Sequence, residues 1–160
     1  MTIKVGDTLP EATLYEMTND GPKPISTKDL TRGRRVVIFG LPGAFTPTCS
    51  AQHVPGYVQH ANELMAKKID DIVCVSVNDA FVMGAWGRDQ KAGGKVRMLG
   101  DGSGLFTKAM GLELDLTDKG LGVRCQRFSM LVENGVVKKL NIEAPGKFEV
   151  SDAVTMLSQV

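Results

Sequence analysis

The stretch RVVIFGLPGAFTPTCS, residues 35–50, decides how this chain is read. Its first part, Arg35 to Gly40, is a β-branched and aromatic run stopped by glycine, the pattern of a buried strand. Leu41 to Ser50 then hold Pro42, Gly43, Thr46, Pro47 and Cys49 in quick succession. Thr46 is a suitable N-cap, and Pro47 suits the first helical position, where its missing N–H costs nothing. Cys49 falls in the first turn of that helix, among backbone N–H groups with no helical partner. Those dipoles favour negative charge, and the thiolate is the reactive form of cysteine. A strand end that opens a helix is also where open α/β sheets place their sites.

The rest of the pattern grows outward from that junction. Asp71 to Asn78 is a second β-branched run, and Val96 to Leu99 a third, short one. Phe128–Val132 and Val136–Leu140 flank Glu133-Asn134-Gly135, a strong hairpin signal. Helices fall between. Val54, Tyr57 or Val58, Ala61, Leu64 and Met65 recur at spacings of three to four and predict one helix running on from Cys49, with Pro55 kinking it early. Asn78-Asp79 can cap a helix over Phe81 to Gln90. Asp101 to Gly104 lead into a short helix ending near Gly111, and Ser151 can cap a last one through Val154, Leu157 and Val160. Strand–helix crossovers followed by a hairpin predict an α/β architecture with a mixed sheet. No repeat or linker divides the chain, so residues 1–160 read as one domain.

Bulk properties narrow the function classes. A length of 160 residues suffices for a full core. The net charge of +1 offers no field for nucleic acid or an anionic membrane, and the Arg32, Arg34, Arg35 cluster reads as a solvated loop and strand edge. Nothing resembles a signal peptide or a membrane span. The three cysteines, Cys49, Cys74 and Cys125, form no close pairs. That argues against a disulfide framework and fits a reducing, cytoplasmic setting.

A free cysteine is only about 3% ionised at pH 7, so full ionisation raises its reactivity at most about thirtyfold. Any larger acceleration needs donors that position and stabilise the other reactant. Other chemistries fit less well. Thr46 occupies the place of the first cysteine in a Cys-x-x-Cys pair, which disfavours a dithiol reductase. A cysteine hydrolase needs a histidine base with its own orienting partner, and His53 and His60 both follow Cys49 on its own helix. Cys49, His53, Cys74 and Cys125 lack zinc-site spacing. Gly100-x-Gly102-x-Gly104 is a turn signal and a weak phosphate loop.

The motif Pro42-x-x-x-Thr46-x-x-Cys49 resembles the active-site motif of peroxiredoxins, and LPGAFTPTCS resembles the Prx5 or type II subfamily. The likeness continues through HVPGY (His53–Tyr57), Val75–Gly87, Met110–Leu116 and RFSMLV (Arg127–Val132). It implies a thioredoxin-like fold, with a mixed central sheet flanked by helices, and a thiol-dependent peroxidase that needs no cofactor or metal. By the same resemblance Cys49 is the peroxidatic cysteine, and Thr46 bonds the peroxide. Pro42 shields the thiol pocket, and Arg127 contacts both thiolate and peroxide. Guanidinium chemistry agrees, since its fixed, permanently charged donors span two atoms. Arg124 is the rival arginine, and the resemblance prefers Arg127, directly before Phe128. His53, four residues after Cys49, either joins a network behind the thiol or is a structural histidine.

Many subfamily members carry a second, resolving cysteine late in the chain, and Ala144 to Ala153 have none. Cys74 reads as a core thiol, and Cys125 is the candidate that could reach the site. The other reading is a one-cysteine mechanism in which an external thiol reduces a sulfenic acid. Glutathione with glutaredoxin, or thioredoxin, is the reductant the resemblance implies. It also implies a homodimer through loops near the site, for which Phe45, Phe81 and Trp86 are candidate contacts or core residues. A redox sensor using the same cysteine is the non-enzyme alternative.

Overall fold

A computed structural model describes residues 1–160. The chain opens with a hairpin of β1 (Thr13–Thr18) and β2 (Gly21–Ser26), then a short α1 (Thr27–Thr31). β3 (Arg35–Gly40) leads through the motif loop to a π-helical turn (Cys49–His53), α2 (Val54–Gln59) and α3 (Ala61–Ala66). Next come β4 (Asp71–Ser76), α4 (Ala80–Asp89), β5 (Arg97–Gly100) and α5 (Leu105–Met110). β6 (Glu113–Leu116) and β7 (Gly122–Cys125) pair apart from the main sheet. β8 (Phe128–Glu133), β9 (Val136–Ile142) and α6 (Ala153–Gln159) close the chain.

The main sheet has the order β2-β1-β5-β4-β3-β8-β9. β3, β4 and β5 run parallel, and the remaining pairings are antiparallel. Side-chain alternation along the strands sorts the core into two layers. Val37, Phe39, Ile72 and Cys74 face α2, α3, α4 and α6. Val36, Ile38, Val73 and Val75 face α1 and α5. This is the thioredoxin-like α/β fold that the motif implies.

Two local expectations are corrected, and one element was not expected. The single helix after Cys49 is instead a π-turn and two short helices. The Val54 N–H bonds the Cys49 carbonyl, five residues back, and Pro55 has no N–H to offer. The chain breaks again at His60, between α2 and α3. Asp152, not Ser151, caps the last helix, accepting from the Thr155 N–H. The β1–β2 hairpin escaped the sequence reading because Pro22 and Pro24 are poor strand residues, and β2 tolerates them as an edge strand.

Candidate active site

The motif loop leaves β3 at a crowded point. A Cβ on Gly40 would lie 2.2 Å from Cε1 of Phe128, so only glycine lets β3 and β8 close there. Phe45 takes a left-handed φ of 62° and turns the chain into the helix. Pro47 is the first helical residue, as expected. Thr46 stands at the N-cap, its carbonyl accepting from the Ser50 N–H at 2.9 Å. Its hydroxyl does not cap: it donates to the Gly43 carbonyl at 2.7 Å. With that hydrogen committed, the oxygen faces any further partner as an acceptor. The two jobs that compete for this hydroxyl in the sequence are thereby separated.

Cys49 is fully buried at the start of the π-turn. Arg127, half-buried just before β8, reaches it with Nη2 at 3.2 Å from Sγ. Its Nη1 donates to Nδ1 of His53 at 2.9 Å. The network reading of His53 is the one that holds. Its Nε2 lies 3.1 Å from the Ser151 carbonyl. A guanidinium can only donate and a carbonyl can only accept. The partners therefore fix a neutral imidazole with its proton on Nε2. Burial, and then the Arg127 charge, push the His53 pKa down to about 3, in agreement with that tautomer.

Aromatic rings close the far side. Phe39 and Phe148 each lie 4.9 Å from the His53 ring. The Arg127 guanidinium carbon sits 5.6 Å over the Phe148 ring, a cation–π distance. Tyr57 stacks on Phe39 at 4.0 Å and donates its hydroxyl to the same Ser151 carbonyl at 2.9 Å. Beside Cys49, Ser50 Oγ accepts from Nε1 of the buried Trp86 at 3.0 Å. Trp86 is thus a core residue, whereas Phe45 and Phe81 are 54% and 65% exposed.

Pro42 and Arg127 line the same opening of about 150 Å³, with Thr48, Leu114, Lys147 and Phe148 around it. Arg124 takes a different place. It donates to the Pro42 carbonyl at 3.1 Å and to Leu121, not to sulfur. The structure thus joins Cys49 directly to Arg127, sets Pro42 on the rim beside Arg127, and ties Thr46 to that rim through Gly43. Ser151 and Phe148 were invisible as site residues, because nothing in a serine or phenylalanine about 100 residues downstream announces a contact with His53.

All three thiols are free and buried. Cys74 packs in the same layer as Cys49, and Cys125 in the layer on the other face of the sheet. The idea that Cys125 approaches the site is therefore corrected by topology. Burial raises the Cys74 pKa and pushes Cys125 up to about 12.

The Redoxin family model matches residues 4–157. Peroxiredoxin-2C of Oryza sativa subsp. japonica is 50% identical over 97% of this chain and 96% of its own length. The reduced Prx3 of Vibrio vulnificus, solved in complex with H2O2, superposes with a TM-score of 0.95 at 51% identity, covering 99% of each chain. A Burkholderia cenocepacia structure, described provisionally as a thioredoxin reductase, is 59% identical with a TM-score of 0.98, covering 100% of this chain and 99% of its own. The present chain lacks a Cys-x-x-Cys dithiol, so that description finds no support in its residues. A buried thiol at a helix start under an arginine fork, on this fold and with these relatives, leads to one assignment: the chain belongs to the Redoxin family and, within it, to the type II peroxiredoxins, which are thiol-dependent peroxidases.

Proposed function

We propose that Cys49 is the peroxidatic thiol and that Arg127, Thr46 and Pro42 serve it. The Cys49 thiolate attacks one oxygen of a hydroperoxide ROOH. The S–O bond forms as the O–O bond breaks, giving a sulfenic acid and ROH once the departing oxygen takes a proton. Arg127 carries this reading, because one guanidinium arm is already on the sulfur and the arginine also lines the opening beside Pro42, the proposed approach for peroxide. Thr46, able only to accept, orients the peroxide O–H. Pro42 has no N–H and keeps water from one side of the thiol. The opening suits hydrogen peroxide and small alkyl hydroperoxides.

An external thiol then attacks the sulfenic sulfur and releases water, and a second thiol frees Cys49 as the external pair leaves as a disulfide. Glutathione with glutaredoxin, or thioredoxin, is the proposed reductant. The raised pKa values of Cys74 and Cys125 make both poor internal nucleophiles, which favours an external one. A reducing compartment such as the cytoplasm supplies it. A homodimer is proposed through the sheet end that bears Phe45 and Phe81. The Ala44 N–H donates to Asn78 Oδ1 at 3.0 Å and ties the two loops together, and Leu105, 67% exposed, begins α5 beyond β5 at the same end.

Intact mass after one equivalent of H2O2 without added thiol, with peptide mapping, tests the central assignment. One added oxygen on Cys49, trapped as sulfenic acid, is expected, and Cys49→Ser should not react. A disulfide from Cys49 to Cys74 or Cys125 overturns the external route. Peroxide turnover by Cys49→Ser overturns Cys49 as the nucleophile.

A further inference from the structure

Glu143 is a carboxylate the peroxidase chemistry above does not use. It is only 5% exposed, just after β9, and no ion pair holds it. Its Oε2 accepts from the N–H groups of Glu149, Val150 and Ser151 at 2.9, 2.9 and 2.8 Å, and from the Ser151 hydroxyl at 2.7 Å. Oε1 accepts only from the Glu149 N–H, at 3.0 Å. Burial pushes this carboxyl up, but the Ser151 hydroxyl and the backbone N–H groups outweigh it and hold it below the usual carboxylate range. The side chain therefore pins the far end of the 143–151 loop to its near end. The Glu143 backbone N–H meanwhile bonds the Arg127 carbonyl at 2.9 Å.

This arrangement grips Arg127 twice. The backbone bond holds its main chain. The carboxylate holds Ser151, whose carbonyl keeps the His53 proton on Nε2 and so leaves Nδ1 free to accept the guanidinium arm. The same loop carries Phe148 onto both the guanidinium and the imidazole. We propose that Glu143 is a positioning residue of the peroxidase reaction, aiming Arg127 at Cys49 through Ser151 and the His53 tautomer. The proposal rests on the assignment of Cys49 and Arg127 made above. Without the carboxylate, a run of successive N–H groups loses its acceptor, and Ser151 keeps only the Tyr57 hydroxyl to hold its carbonyl towards His53. A His53 proton that moves to Nδ1 then points at the guanidinium, donor against donor, and the arm on sulfur swings.

The test compares Glu143→Ala and Glu143→Gln with the full-length wild type. A glutamine oxygen in the Oε2 place keeps every bond there, and its amide faces only the Glu149 N–H. Two readouts are used: the second-order rate of Cys49 oxidation by H2O2, from quenched alkylation and mass spectrometry, and the His53 ring ¹⁵N shifts, which report the tautomer. E143A should lose about tenfold or more in rate, the scale of a displaced catalytic group, with its imidazole mixing tautomers. E143Q should restore the wild-type tautomer and a rate within about threefold. A merely structural role lowers the melting temperature and moves neither readout in protein that is still folded. Should E143A not fold, Glu143→Asp retracts the acceptor by about one C–C bond, about 1.5 Å, and must show the same losses in part. A folded E143A or E143D with unchanged rate and tautomer overturns the inference, as does an E143Q as slow as E143A. Cys49→Ser in the same assay separates the failures: wild type oxidised at Cys49 beside an equally fast E143A sinks only the role of Glu143.

Discussion

Replacing Arg127 with alanine removes both arms of the fork, from Cys49 Sγ at 3.2 Å and from His53 Nδ1 at 2.9 Å. The arm on sulfur is the one that matters for rate. As the O–O bond breaks, negative charge moves from sulfur to the departing oxygen, and a preorganised charged donor follows it. Loss of one such donor costs about 2.7–4 kcal/mol of transition-state stabilisation, or about 10²–10³ in rate. Cysteine ionisation alone accounts for at most about thirtyfold at pH 7, so a drop beyond that reads the transition state and not the thiolate population. Arg127→Lys keeps the charge but not the fork. Its single nitrogen cannot serve sulfur and imidazole together, so a loss of about tenfold or more is expected. Arg124→Ala removes bonds to the Pro42 and Leu121 carbonyls only, neither of which touches the sulfur or the imidazole, and should stay within about fivefold, roughly 1 kcal/mol. Stopped-flow oxidation of Cys49 by limiting H2O2 gives all three rates, at a temperature where each variant is folded. An Arg124→Ala loss exceeding that of Arg127→Ala, or an Arg127→Ala loss below about tenfold, refutes the reasoning.

His53 makes stability depend on acid. In the unfolded chain its imidazole titrates near its ordinary 6.5, whereas in the fold it does so at about 3. The stabilisation is full above about pH 6.5 and is lost as pH falls towards 3. At pH 5 the loss is about 2 kcal/mol at about 1.36 kcal/mol per unit. Urea unfolding of wild type between pH 7.5 and 5 should show that loss, and His53→Gln should flatten it by the same amount; equal slopes would mean that His53 is not held neutral. Phe81→Asp should shift the homodimer proposed above to monomer in sedimentation, without touching the Cys49 oxidation rate, and an unchanged mass in solution points to another interface.

Much of this site was legible because the motif is local. Pro42, Thr46 and Cys49 lie within one strand-to-helix turn, where cap, proline and thiol chemistry speak directly. The strands of β3, β4 and β8 were legible because they are buried on both faces and read as apolar runs. Arg127 came only through resemblance, since no periodicity distinguishes it from Arg124. Spacing brought His53 to the face of Cys49 but left its state open, because the tautomer is set by Ser151, distant in sequence. Ser151 itself reads as a helix cap, and a cap one residue later, Asp152, frees it for the site. Cys125 could be placed only when the sheet put it on the opposite face from Cys49.

A fork has to be aimed from both of its arms, and that explains why a neutral histidine sits beside the thiol. A carboxylate in the His53 place would hold Arg127 more strongly, but it would also neutralise the charge that the departing oxygen needs. A protonated imidazole would repel the guanidinium and leave that arm without an acceptor. Neutral imidazole takes one arm without consuming the charge, provided its proton is kept on Nε2. That condition accounts for the buried Ser151 carbonyl, and the cost in acid stability follows from it. The tautomer, the arginine and the thiol thus form one constraint, and a change in any of them should be read first in the rate of Cys49 oxidation.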